Sequence, residues 1–378
     1  MGLPASPFVG LRAFTPHMSR YFTGRERFAL TLSGAVLRSR ITVLFGPPGA
    51  GKSSVLGAAL PMALGAALNR PRKSDTNPTF RMLQFRRWHP GFETRLFRVA
   101  AAKLGVPNAE SLSAAVTDWS QQSSSPVPVV LVLDQFEEFQ LYHPRSFSTV
   151  FVRELATIVA DASLDVHVVL SLREDALAGL DSLRAVIPGI LSAPVQIRPL
   201  DLAAAEQAIR APVATWSTDK FGEPDDIRVE DELVMSLLDQ VSQKAPRALE
   251  NRGNQEVPNS LVDLPILQLA LERLWQEEFR GGVTVLRAET LRALGGAAGI
   301  ARRHLEQTLE TLPVVQRELA VRLFRHLVTA SGGKHAWRAP DLNEEIVADE
   351  EASQLASAES PWVGGRKSST VRRHCCIR

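Results

Sequence analysis

The chain has 378 residues, 45% of them hydrophobic and 22% charged, and its 43 Lys and Arg against 41 Asp and Glu leave a formal net charge of +2. That length suggests two or three domains, and that balance excludes global disorder and a main role in coating nucleic acid, leaving only a local basic patch open. Its two cysteines, Cys375 and Cys376, are adjacent near the C-terminus; they staple nothing, form no zinc set with histidine, and agree with a reducing, cytoplasmic compartment.

The opening MGLPASPFVGLRAF lacks the basic start and apolar block of a signal peptide. Gly2 with Ser6, and Cys375 fourth from the end, match lipidation patterns on paper. Both patterns are short, the second ends in an atypical Arg, and we read both as chance. Residues 1–40 start extended, with Pro4, Pro7 and Pro16 as breakers, and turn helical from about Arg25, with Phe28, Leu32, Ala35 and Val36 on one face. The strand ITVLF (41–45), a glycine-rich loop and an apolar helix from Lys52 to about Asn69 follow. The apolar run Val55 to Leu68, broken by Pro61, is too short to span a bilayer.

A strand over TFRMLQFRRW (79–88) comes next, then helices over FETRLFRVAAAKLG and AESLSAAVTDWSQQ, and a loop at SSSPVP (123–128). VVLVLD (129–134) is an unbroken apolar run ending in an acid, as a central parallel strand covered on both faces requires. A helix over 146–161 and strands at VHVVLSLR (166–173) and APVQIRPL (193–200) complete the alternation of a doubly wound α/β domain. After about residue 215 the strand signal disappears. Helical periodicity marks VEDELVMSLLDQVSQ, DLPILQLALERLWQEEF, GIARRHLEQTLETL and VVQRELAVRLFRHLVTA, with KAPRALENRGNQEVPN as an interrupting loop. The last thirty or so residues lose periodicity and read as a frayed tail. No repeat of useful period is present.

Between strand and helix, Gly46-Pro47-Pro48-Gly49-Ala50-Gly51-Lys52-Ser53 has the G-x-x-x-x-G-K-S spacing of a phosphate cradle, and the flanking elements are the context that confirms it. Backbone N–H groups from Pro48 to Ser53 (Pro48 itself has none) point inward at the β- and γ-phosphates. Gly49 and Gly51 let the backbone approach. Lys52 neutralises phosphate oxygens, Ser53 ligates Mg²⁺, and the helix N-terminus carrying Ser54 adds its dipole. Asp134 ends a buried strand, where an uncompensated carboxylate is costly, so it is the second metal partner, through a water. Gln135 stands where many P-loop ATPases carry a glutamate. Either Glu137 or Glu138 is then the general base, or the pair are two solvated acids opening a helix. Arg173 ends its strand within reach of a γ-phosphate, or else pairs with Glu174 or Asp175.

PFVGLRAF…YFTGRER, LFGPPGAGKSSVLGAALPMAL, VLVLDQFEEF, LSLREDALAGL, DLPILQLALERLW and LGGAAGIARRHLEQTL occur in that order. This ordered set, over about residues 5–330, resembles the novel STAND NTPase type 1 family, the signal-transduction branch of P-loop ATPases related to AAA+ proteins. The resemblance implies that Phe22, Gly24 and Arg25 of FTGRE border the adenine and ribose, that Pro265 touches the adenine, and that Arg173 reads the γ-phosphate. On the residues alone, Gly24-Arg25 is a turn and helix start, and Pro265 is a first-turn proline with Asp263 as cap.

The implied fold class is α/β: a P-loop NTPase parallel sheet flanked by helices, followed by an all-α lid and a partial winged-helix-like region. We place a nucleotide-bordering segment at 1–40, the α/β core at 41–215, the lid at 216–292, the winged-helix-like domain at 293–348 and a disordered tail at 349–378. Members of the family carry an effector domain before, or a sensor array after, the NTPase, so a longer parent chain or partner proteins are expected to supply them.

The expected function is a switch that binds Mg²⁺ and ATP or ADP, hydrolyses ATP slowly, and couples a signal to conformational change or assembly. Protein partners or self-association on activation are expected, and no membrane span. Two alternatives stay open. One is an AAA+-like motor ATPase or phosphotransferase, for which residues 81–125 show no clear set of lid arginines. The other is a nucleic-acid-binding ATPase using the basic RMLQFRRW and GRKSSTVRRH stretches, which nearby acids balance.

Overall fold

Five short runs line up as one parallel sheet: β1 (Ile41–Gly46), β2 (Arg81–Phe85), β3 (Val129–Leu133), β4 (Val166–Arg173) and β5 (Pro194–Gln196), with valine and leucine dominating β3 and β4. Their order is β2-β3-β4-β1-β5, with β4 inserted between β1 and β3. The computed structural model describes residues 3–68, 79–122, 127–143, 149–244, 260–280 and 284–327. The helices of this half are α1 (Glu26–Arg38), α2 (Lys52–Ser54), α3 (Leu60–Leu68), α4 (Phe92–Leu104), α5 (Leu112–Gln122), α6 (Phe136–Tyr142) and α7 (Val150–Ala160).

Strand residues alternate between faces. Leu83, Leu131, Leu133, Val168 and Leu170 pack with α4, α5, α6 and α7, while Leu44, Val130, Val132 and Val169 pack with α1 and α3. Both faces are thus covered, as the apolar run at 129–133 required. The doubly wound sheet expected from the sequence is present. The single helix expected over 52–69 is α2 and α3 joined by a π-helical turn, Val55–Ala59. A Cβ at Gly57 in that turn would lie 2.5 Å from the Phe14 carbonyl oxygen, so the N-terminal segment presses directly on it.

A second core gathers α8 (Leu202–Phe221), α9 (Asp231–Val241), α10 (Leu264–Arg280), α11 (Ala288–Ala293) and the start of α12 (Gly296–Glu310) around Trp216, Leu237, Leu271 and Trp275. It takes in α8 from Ala205, upstream of residue 215, together with Phe8, Phe14 and Tyr21 of the N-terminal segment. Trp216 Nε1 donates to the Pro4 carbonyl at 2.7 Å and Trp275 Nε1 to the Ala5 carbonyl at 2.9 Å. Pro16, expected to break structure, instead opens a 3₁₀ turn, Pro16–Tyr21, because its missing N–H costs nothing at a first position.

Two small sheets correct the all-helical expectation beyond 215. β6 (Arg228–Val229) runs parallel to β9 (Val285–Leu286), and β7 (Ser242–Lys244) antiparallel to β8 (Ser260–Val262). Pairs of two or three residues carry no readable period.

The chain divides into two compact units, Met1–Thr308 and Leu309–Arg378. In the second, the described helix is α13 (Val314–Leu327). Of the winged-helix-like region at 293–348, the described residues contribute helices only. Residues 328–348, the tail, both cysteines, GRKSSTVRRH and most of KAPRALENRGNQEVPN lie outside the described residues. Among those described, no helix is long and apolar enough to cross a membrane.

Candidate functional site

At Gly46 the chain leaves β1 level with Arg173 on β4. A Cβ there would lie 2.2 Å from the Ile197 carbonyl oxygen, so only glycine fits. Gly49 and Gly51 adopt left-handed φ of 77° and 90°, which turns the loop back toward α2. Lys52 Nζ donates to the carbonyls of Gly46 (2.7 Å) and Pro47 (2.9 Å). Two of its three donors thus pin the ammonium at the mouth of the loop, and one stays free for an incoming oxygen. Burial lowers the Lys52 pKa, and Glu137, then Asp134, oppose that shift. Ser53 sits half-buried in the same turn; Ser54 Oγ accepts from the Phe14 N–H at 3.2 Å, which ties the N-terminal segment to the loop helix.

Asp134, just past β3, is 1% exposed. Its backbone is held by its own N–H to the Phe85 carbonyl and by Trp88 Nε1 donating to its carbonyl, both at 2.8 Å. Oδ1 accepts from the Gln135 N–H at 3.0 Å, whereas Oδ2 is buried with no partner. An orphaned carboxylate oxygen is costly, and a cation or its water relieves that cost. Ser53 and Asp134 therefore fit a Mg²⁺ ion, which keeps waters and phosphate oxygens in its shell and needs few protein ligands.

Gln135 is the only non-glycine at positive φ among the described residues, at 56°. Such a conformation costs about 1–3 kcal/mol. It starts α6 immediately after β3 and swings Glu137 back to the end of β4, where its Oε2 accepts from the Arg173 N–H at 3.3 Å. Burial raises the pKa of both Glu137 and Glu138. Lys52 pulls Glu137 down, while Asp134 pushes Glu138 further up. Glu137 is thus the acid brought to the lysine, and neither is a fully solvated one. The Arg173 side chain pairs with Asp175, Nε to Oδ1 at 3.0 Å and Nη2 to Oδ2 at 2.5 Å, which is the ion-pair alternative read from the sequence.

Arg25 is buried, and desolvation lowers its pKa to about 10 against the pull of Asp201. Its Nη2 donates to Ala50 in the loop (3.0 Å) and to Arg198 after β5 (2.6 Å), so it braces the loop against the sheet. We expect Arg25→Ala to lower stability by about 1.5–3 kcal/mol, the range for hydrogen bonds to a charged group. The urea midpoint measures this, and an unmoved midpoint means the two carbonyls find other partners. Gly24, at φ 82°, passes so close to α8 that a Cβ would lie 2.6 Å from the Ala204 carbonyl oxygen, and the Phe22 ring packs on Phe14 at 5.1 Å.

Pro265 lies in the first turn of α10, whose Ile266 N–H is capped by Asp263 Oδ1 at 3.2 Å. Its ring lies over the phosphate loop: a Cβ built on Gly49 would be 3.0 Å from Pro265 Cγ. The first-turn proline with its Asp263 cap, read from the residues alone, is present. Trp88, which fixes Asp134, was missed; its partner is 46 residues away and only an aromatic in a basic stretch marked it.

The chain is similar to solved structures at low identity. ORC2 of Aeropyrum pernix, in ADPNP–ADP complexes, has 14% identity and a TM-score of 0.51, over 90% of this chain and 82% of that one. ORC1 of Aeropyrum pernix, solved with DNA, has 18% identity and a TM-score of 0.45, over 94% and 81%. Cdc6p of Pyrobaculum aerophilum has 15% identity and a TM-score of 0.44, over 87% and 86%. The first of these supports the fold alone, a parallel sheet covered by helices. A search of curated proteins gives no match. The family comparison matches residues 7–360 to Novel STAND NTPase 1, nearly the whole chain. With loop, strand-end acid and strand order in agreement, the chain belongs to the Novel STAND NTPase 1 family.

Proposed function

We propose that the protein is a regulatory switch that binds Mg²⁺ and ATP, hydrolyses ATP slowly, and passes the difference between ATP and ADP to its second core. The observation that carries this is the seat of Pro265 on Gly49. The first turn of α10 rests on the loop itself, so a nucleotide entering the loop changes what α10 rests on. A ligand shifts such an equilibrium only by its differential affinity for the two states.

In this reading Lys52 and the loop N–H groups hold the β- and γ-phosphates. Ser53 and Asp134 hold Mg²⁺, which supplies charge neutralisation when bound. Glu137 takes the proton of the attacking water, with Glu138 the second candidate. The segment of Phe22, Gly24 and Arg25 borders the base and ribose, Pro265 touches the base, and Arg173 reads the γ-phosphate. Protein partners, or further copies of the chain, read the position of the second core.

Arg173→Ala tests the switch. It is expected to weaken ATP more than ADP, by about 1.5–3 kcal/mol, whereas Pro265→Ala weakens both alike and modestly. Calorimetry with each nucleotide decides, and equal losses for Arg173→Ala sink the reading. Asp134→Asn is expected to blunt the Mg²⁺ dependence of ATP binding. Unchanged Mg²⁺ titrations remove Asp134 from the metal site.

A further inference from the structure

We propose that Asp175 competes with the γ-phosphate for the Arg173 guanidinium, acting as a built-in latch that sets how strongly the site prefers ATP to ADP. This rests on Arg173 reading the γ-phosphate. Nε and Nη2 of Arg173 lie on the two oxygens of Asp175, a bidentate fork. A phosphate binds an arginine through the same fork. The Arg173 side chain is 21% exposed and that of Asp175 is 64% exposed, so the pair sits at a rim, with the guanidinium turned inward and the carboxylate to water. The backbone of Arg173 is level with Gly46, where the loop begins. The neighbouring acid Glu174 has another partner, Gln196 Nε2 at 3.2 Å.

A γ-phosphate arriving at Arg173 therefore meets a donor edge already filled. ADP brings no γ-phosphate and does not meet that cost. Asp175 thus lowers the preference for ATP without touching the nucleotide. It is a positioning residue, acting through Arg173.

The test measures ATP and ADP affinities of the full chain with Mg²⁺ for wild type, Asp175→Asn, Asp175→Glu, Arg173→Ala and the Arg173→Ala/Asp175→Asn double variant. Asp175→Asn is expected to raise the ratio of ATP to ADP affinity about two- to fivefold, the scale of a partly exposed ion pair. Asp175→Glu should stay near wild type, and in the Arg173→Ala background the Asp175→Asn change should leave the ratio unmoved. A ratio that falls in Asp175→Asn means that Asp175 holds Arg173 toward the phosphate, and overturns the latch. A ratio unmoved by Asp175→Asn, with that of Arg173→Ala lowered, overturns the latch alone. If Arg173→Ala itself leaves the ratio unchanged, the switch reading falls and the latch with it.

Discussion

Lys52→Ala is expected to abolish ATP binding and leave the fold standing. The ammonium is held at the loop's mouth by the Gly46 and Pro47 carbonyls, with one donor free. Each hydrogen bond to a charged group contributes about 1.5–3 kcal/mol, and the free ammonium also offsets phosphate charge. Together these predict a loss of at least about 100-fold in affinity. The fold has little at stake. Lys52 is only half-buried, and the carbonyls it leaves stand beside the exposed Pro48 and Gly49, where water replaces it. Calorimetry should show no ATP heat while thermal unfolding of the apo protein shifts little. ATP binding at wild-type affinity removes the nucleotide from this loop.

The second large effect separates the two glutamates. Glu137 reaches both the N–H of Arg173 and the field of Lys52, whereas Glu138 is shifted by burial and then by Asp134, with no Lys52 contribution. If Glu137 is the base, Glu137→Gln slows hydrolysis about 10²- to 10⁴-fold, the usual contribution of general-base catalysis. ATP still binds, because the amide fills the same space. Glu138→Gln should change the rate only severalfold. Single-turnover measurements compare the two directly despite a slow basal rate. If neither substitution slows the chemical step, the base is elsewhere. If Glu138→Gln carries the larger loss, the roles are exchanged.

Much of this site was legible in the sequence because its parts are local. The loop from Gly46 to Ser53 is one continuous segment, and Asp134 closes an unbroken apolar strand. The strand order then brings Arg173 level with Gly46. What escaped the sequence depends on distant partners. Arg25 reads as a helix start, yet its hydrogen bonds go to residues 25 and 173 positions away. The π-helical turn hides inside an ordinary apolar helix pattern, and only the Phe14 carbonyl pressing on Gly57 marks the spot. Gln135 has no residue-type signal for a left-handed backbone, which glycine, asparagine or aspartate adopt more readily. The small β6–β9 and β7–β8 pairs were missed because so few residues cannot show a period of two.

The anchoring of the N-terminal segment dictates an order of events at the ribosome. Ala5 waits for Trp275, 270 residues further along, and Pro4 for Trp216. At about 5–20 residues per second, translation takes roughly 15–55 s to deliver that tryptophan. Until then Phe8 and Phe14 have no finished core to enter, whereas β1 to β5 are all made once residue 196 is added. The tryptophans that hold the leading segment are thus made long after the loop helix that the segment touches.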